Sequence, residues 1–156
     1  MIHRLTRPQS RRGVAAVEFA FLAIPIFILL TGIWEVGRLV ETQQMLTNAA
    51  REGARQAATG QLTTAQAKTV VTQYLTVAGL PTANVNVNVV NLTRGGDVVN
   101  AQYLDQIQIT VTIPVADVRW SALGFITPAS NNVSAQVQWI TMVDQAFPTP
   151  PEPPVG

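Results

Sequence analysis

Residues 14–34 form an apolar run of 21 positions in which Glu18 is the one strongly polar member. At about 1.5 Å of rise per helical residue this run is about 31 Å long, close to the roughly 30 Å of a bilayer's hydrocarbon core. It therefore predicts a membrane-spanning helix. The helical period does not stop there. Val36, Leu39, Val40, Leu46, Ala50, Ala54 and Ala57 recur every three to four positions, which carries the helix to about Thr59, with Gly60 as its stop. A helix over 14–59 is about 69 Å long, half for the membrane and half to lie under a domain. Its second half presents small residues (Ala49, Ala50, Gly53, Ala54, Ala57 and Ala58), a face on which another element can pack closely. Pro25, inside the apolar run, removes one backbone hydrogen bond and predicts a kink or a loosened turn before it.

Thr63-Thr64-Ala65-Gln66 has the form of a capping box opening a second helix. Ala67, Val70, Val71, Tyr74, Leu75 and Ala78 make its apolar face, and Gly79 and Pro81 end it. The period then changes to two. Val85, Val87 and Val89 alternate with asparagines. Ile107, Ile109, Val111 and Ile113 alternate with Gln and Thr, and Val133, Ala135, Val137 and Trp139 alternate with Ser and Gln. These are three half-buried strands. Gly95-Gly96-Asp97 between the first two suggests a hairpin, and antiparallel order is favoured without being demanded. Residues 116–132 read as a long connection packed by Trp120, Leu123 and Phe125. The fold class is α+β: a long N-terminal membrane helix continuing into an exported domain with a second helix and a small three-stranded sheet. The chain divides into a basic leader (1–13), the membrane helix (14–34), the exported domain (35–146) and a Pro-rich tail (147–156), extended and solvated, which is an inert end or a docking peptide.

Charge orients this arrangement. The leader carries Arg4, Arg7, Arg11 and Arg12 and no acidic residue, so by the positive-inside tendency it stays in the cytoplasm and the chain after Trp34 is exported. Beyond residue 13 there are six Lys and Arg against nine Asp and Glu, which argues against a nucleic-acid partner. The chain has no cysteine, so packing alone holds the domain, and its one histidine, His3, lies in the leader. No metal-ligand spacing, phosphate loop or paired-carboxylate pattern is visible. Neither a catalytic residue, a metal nor a cofactor is expected, and the chain reads as non-enzymatic. Arg11-Arg12 lacks the hydrophobic pair that should follow twin-arginine export signals, and residues 33–35 do not suit conventional signal cleavage.

Glu18 has two readings. A carboxylate one turn inside a membrane helix costs a few kcal/mol on insertion scales and tolerates this by snorkelling or protonation, or it marks function. In the functional reading the chain is cut between Gly13 and Val14. The new α-amine then lies one turn from Glu18, and the carboxylate of one subunit neutralises the amine of the next.

The basic leader ending in Gly13, followed by V-A-A-V-E-F and an apolar helix, resembles the cleavage and assembly signal of type IV pilin-like proteins. G-I-W-E-V-G-R at 32–38 and N-A-A-R-E-G-A-R-Q-A-A at 48–58 add a resemblance to the TadE-like family of minor pseudopilins, which serve bacterial tight-adherence (Flp) pili. The resemblance implies processing by a prepilin peptidase at Gly13–Val14, anchorage in the inner membrane with the domain in the periplasm, and partnership with other pilins and the pilus assembly machinery as well as lipid. The major pilins of these systems are much shorter, which fits a role in assembly rather than in the bulk filament.

The exported part of the helix carries Glu35, Arg38 and Glu41, then Arg51, Glu52 and Arg55. These are surface pairs on a wet face, worth a few tenths of a kcal/mol each, or contacts with neighbouring subunits. Glu52 can serve Arg55, whereas Arg51 has no evident partner. The polar strand faces are the wet side of an exported sheet or a binding surface. The rival to the pseudopilin is an unprocessed single-pass envelope protein that displays a small binding domain, with Glu18 incidental.

Overall fold

The structure is a computed structural model, and it describes residues 10–120 and 131–143. The leader before Ser10, the connection through Leu123 and Phe125, and the Pro-rich tail lie outside the described residues.

Helix α1 runs unbroken from Ser10 to Ala57, 48 residues or about 72 Å. It passes through Pro25 without interruption. It begins four residues earlier than the expected Val14, because residues 10–13 continue the backbone hydrogen-bonding ladder. It ends two residues before Thr59, where the chain tightens: Thr59 and Gly60 donate to carbonyls three residues back, and Gly60 takes a positive φ of 71°. That conformation suits a residue without Cβ.

Helix α2, Thr64–Val77, starts with the expected capping box. Thr63 Oγ1 accepts from the Gln66 N–H, and Gln66 Oε1 accepts from the Thr63 N–H at 2.8 Å. Such a cap contributes about 1 kcal/mol. The helix stops in a Schellman arrangement, with Leu80 N–H donating to the Leu75 carbonyl and Gly79 at φ 80°. Ala67, Val71 and Leu75 are its buried face. Val70 and Ala78 are only half-buried and Tyr74 is exposed, so the apolar face is narrower than the sequence predicts.

Strands β1 (Asn86–Asn91), β2 (Gln106–Pro114) and β3 (Asn132–Ile140) form one antiparallel sheet in that order. The centres pair Val89 with Ile109 and Ile109 with Val137. The two-residue period decides which face is wet. Ile107, Ile109, Val111 and Ile113 are fully buried against the helices, while Gln106, Asn88 and Gln136 face out. On the outer face Gln138 donates to Gln108 Oε1 at 3.3 Å across the strands.

The core lies where the C-terminal half of α1 meets α2 and the sheet. Leu46, Ala49, Ala50, Ala54 and Ala57 of α1 are completely buried, joined by Ala67, Val71 and Leu75 of α2 and by the β2 isoleucines. The β1–β2 connection is more built than a loose hairpin. It contains a 3-10 turn at Val98–Asn100, and Asp97 ties that turn to α2: its carboxylate accepts from Thr64 N–H at 2.7 Å and Thr64 Oγ1 at 3.0 Å. After β2, a one-turn helix α3 (Val115–Val118) buries Val115 and Val118. The head is thus a two-helix, three-strand layer built directly on the distal half of α1, which leaves the proximal half bare.

Candidate functional site

The bare half is the candidate site. A helix of 45 residues from Gly13 to Ala57 is long and apolar enough to cross a membrane, and none of its most apolar stretch is covered by the rest of the chain. Phe19 is 73% exposed and Phe21 is 79% exposed. Among the described residues nothing in the rest of the chain shields these rings, which suits them to contact with lipid or neighbouring helices.

Gly13, Val14 and Glu18 share the start of this helix. Gly13 is its fourth residue, in the turn whose backbone N–H groups have no intrahelical partner. A Cβ added at Gly13 would meet nothing within 4 Å, so packing gives no reason for glycine there. Glycine does make that turn easier to unwind, by roughly 1 kcal/mol relative to alanine. Val14 and Glu18 stand four residues apart, on the same helical face, and both are exposed. Glu18 borders a shallow apolar groove with Val17, Phe21 and Leu22. The arrangement brings a carboxylate to one turn from the Gly13–Val14 bond and points it away from its own chain.

The charges further along α1 divide into three kinds. Glu35 is completely buried and has a polar or electrostatic interaction. It does not lie on the wet face where simple i, i+3 pairing places it, because the head folds down over its side of the helix. Arg38 does pair with Glu41, at 3.6 Å, and its Nε also donates to the Val118 carbonyl at 3.4 Å, joining α1 to α3. Glu52 and Arg55 form a close two-point pair, with N–O distances of 2.7 and 3.0 Å, and Gln56 adds a third donor at 2.7 Å. The Arg55 hydrogen bonds, then the Gln56 one, pull the Glu52 carboxyl down to about 2. Arg51 is exposed beside Val40, Gln43, Gln44, Thr47 and Asn48, and among the described residues no carboxylate lies within ion-pair distance of it. Arg51, Glu52 and Arg55 remain near one another on the stem, distant in sequence from Glu18.

One cluster went unread in the sequence. Asp105 is buried beneath the β1–β2 connection and accepts from Gln102 N–H at 2.9 Å, Arg94 Nε at 3.0 Å and Asn91 Nδ2 at 3.1 Å. The Gln102 N–H, more than the side-chain donors, holds its carboxyl below the ordinary range. Both carboxylate oxygens accept from residues of the connection or of the end of β1, so the cluster fastens the connection. Among the described residues no group of three His, Cys, Asp or Glu is placed to hold a metal ion.

The bare apolar helix, its early carboxylate and the stem on which the head is built have a counterpart among known families. Residues 13–55 match the TadE-like protein family. The TadE-like segment opens at Gly13, takes in Glu18 and the whole apolar run, and closes at Arg55, so it contains every candidate site residue. It lies within α1 and leaves α2 and the sheet outside the match. No curated protein and no solved structure matches the chain. The likeness is thus confined to residues 13–55.

Proposed function

We propose that the chain is a minor pseudopilin of a tight-adherence pilus, anchored by α1 in the bacterial inner membrane with its N-terminus cytoplasmic and its head periplasmic. A prepilin peptidase hydrolyses the Gly13–Val14 peptide bond, leaving a carboxylate on Gly13 and an amine on Val14. The mature helix then packs laterally against other pilins or pseudopilins, and the Glu18 carboxylate of one subunit neutralises the Val14 amine of another. The role is structural, in assembling the pilus, and needs no catalytic group or cofactor.

The observation that carries this reading is the coincidence of the TadE-like match with an uncovered apolar helix bearing Glu18 one turn after Val14. Two features support it. Gly13 has no packing role in the folded chain, which leaves recognition or local unwinding as its use. The four leader arginines favour a cytoplasmic N-terminus by the positive-inside tendency. The test is the mass of the N-terminal peptide of membrane-extracted protein, from cells with and without their prepilin peptidases. A start at Val14 that disappears without the enzyme is expected. A chain that keeps its leader in the presence of active peptidase overturns the proposal in favour of an unprocessed display protein.

A further inference from the structure

The head does not stand clear of the apolar run on a stalk. Thr31 and Gly32, in the last turn of that run, are already half-buried, and Glu35 is fully buried. At the same level the chain returns from the sheet. Arg38 holds the Val118 carbonyl, Val115 and Val118 point inward, and Trp120 emerges two residues later. Its ring lies 6.3 Å from that of Trp34, tilted by 47°. Two tryptophans 86 positions apart are thus brought together, yet Trp34 is 67% exposed and Trp120 is 74% exposed. The fold pairs them in a tilted contact and leaves both largely exposed.

The helix fixes where this pair stands. Trp34 is 20 residues beyond Val14, about 30 Å along the axis. If the run spans a bilayer, Trp34 lies at its outer boundary, and so does Trp120. Indole has a large apolar body and one N–H donor, and is enriched in the headgroup layer of membranes because that layer suits both. Arg119 adjoins Trp120 in sequence and adds a positive charge suited to the level of lipid phosphates, while Arg38 is engaged by Glu41 and the Val118 carbonyl.

We propose that Trp120 is a second membrane contact, by which the head seats itself on the phospholipid headgroup layer beside its own transmembrane helix. Trp34 and Trp120 form one interfacial anchor from two parts of the chain, and the head is held at a set height and rotation above the bilayer. This rests on the membrane-span part of the proposed function and not on processing or pilus assembly.

Depth-dependent quenching tests it on the full chain in phosphatidylcholine vesicles, with lipids brominated near the glycerol end or near the methyl end of the acyl chain. The reporter is Trp120 alone, in W34F/W139F. Two references use the same background with Trp120→Phe added: Phe21→Trp, inside the apolar run, and Met142→Trp, whose backbone N–H donates to Ala58 at the far end of α1, about 36 Å along the helix from Trp34. Trp120 is expected to lose roughly half its emission to the shallow bromines and less to the deep ones, as a ring in the interface does. Phe21→Trp should respond most to the deep bromines and Met142→Trp to neither. Because Trp139 is half-buried, the complementary measurement leaves it in place: Trp120→Phe in the otherwise unsubstituted chain should remove about half of the shallow-quenched emission, Trp34 supplying the rest. Equal access of aqueous iodide to Trp120 and Met142→Trp overturns the proposal. Shielding of Trp120 from both lipid and iodide also overturns it, and identifies a second protein copy as the cover. If Phe21→Trp itself escapes the deep bromines, the membrane span fails and the anchor with it.

Discussion

Gly53 of α1 and Val71 of α2 touch where no further atom fits: a Cβ built on Gly53 collides with Val71 Cγ2 and comes within 3.2 Å of Ile109 Cδ1. This contact sets how closely the second helix approaches the stem, and with it the position of the sheet. Gly53→Ala raises helix propensity by about 1 kcal/mol, but the methyl meets a β-branched side chain with one preferred rotamer, and such overpacking costs about 1–3 kcal/mol. The overpacking wins. Chemical denaturation of the head should show Gly53→Ala less stable than the wild-type chain, and Gly53→Leu should fail to fold.

The acid limb of the stability curve should report the two carboxylates that fasten the β1–β2 connection. Asp97 is held below the ordinary carboxylate range chiefly by the Thr64 N–H, then by the Val99 N–H, and Asp105 chiefly by the Gln102 N–H. Since each folded-state value is depressed, their contribution is fully present above the unfolded value of about 3.9 and is lost as pH falls below it toward the folded values. Thermal melts at about pH 7 and about pH 3 should therefore differ more for the wild type than for an Asp97→Asn, Asp105→Asn chain. Equal differences would mean that these hydrogen bonds do not persist in solution.

These tethers also show what a linear reading can reach. The 3.6 and 2 periods located α1, α2 and all three strands, and Thr63 with Gln66 announced its own cap, because each of these signals is written within a few neighbouring residues. Asp97 gave no such signal, since its partner Thr64 is 33 positions away. Glu35 is the sharper case. On a helix wheel it reads as one of a repeating set of surface charges with Arg38 and Glu41, and only the descent of the head over that side buries it. Trp34 and Trp120 meet for the same tertiary reason. That Gly13, Val14 and Glu18 lie together is legible because they share about one turn of one helix.

Glu52 and Arg55 separate stability from contact. Their geometry is good, but Arg55 is 59% exposed, and an exposed pair of this kind contributes less than about 1 kcal/mol despite the depressed Glu52 carboxyl. Whatever it adds is present above the ordinary glutamate range and is lost as pH falls toward about 2. Glu52→Gln and Arg55→Gln should therefore leave the melting temperature of the head nearly unchanged. If either substitution nonetheless lowers the yield of assembled pili, these residues serve a neighbouring subunit. Normal assembly would assign them to the helix surface alone.

Glu18→Gln isolates the charge on which the proposed assembly contact depends. The side chain is exposed on a part of α1 that the head does not touch, so the head's resistance to proteolysis and the cut after Gly13 should both be unchanged. Lateral packing should not survive. In a low-dielectric contact, leaving the Val14 amine without its counter-charge costs about 3 kcal/mol, roughly a hundredfold in association. Cross-linking in membranes, scored as the fraction of chain joined to pilin partners, should fall accordingly. Glu18→Lys should fall further, because it sets two positive groups against each other. Wild-type cross-linking by a correctly processed Glu18→Gln chain would remove the carboxylate–amine pairing from the mechanism and leave apolar packing of Phe19, Phe21 and their neighbours to hold the helices together.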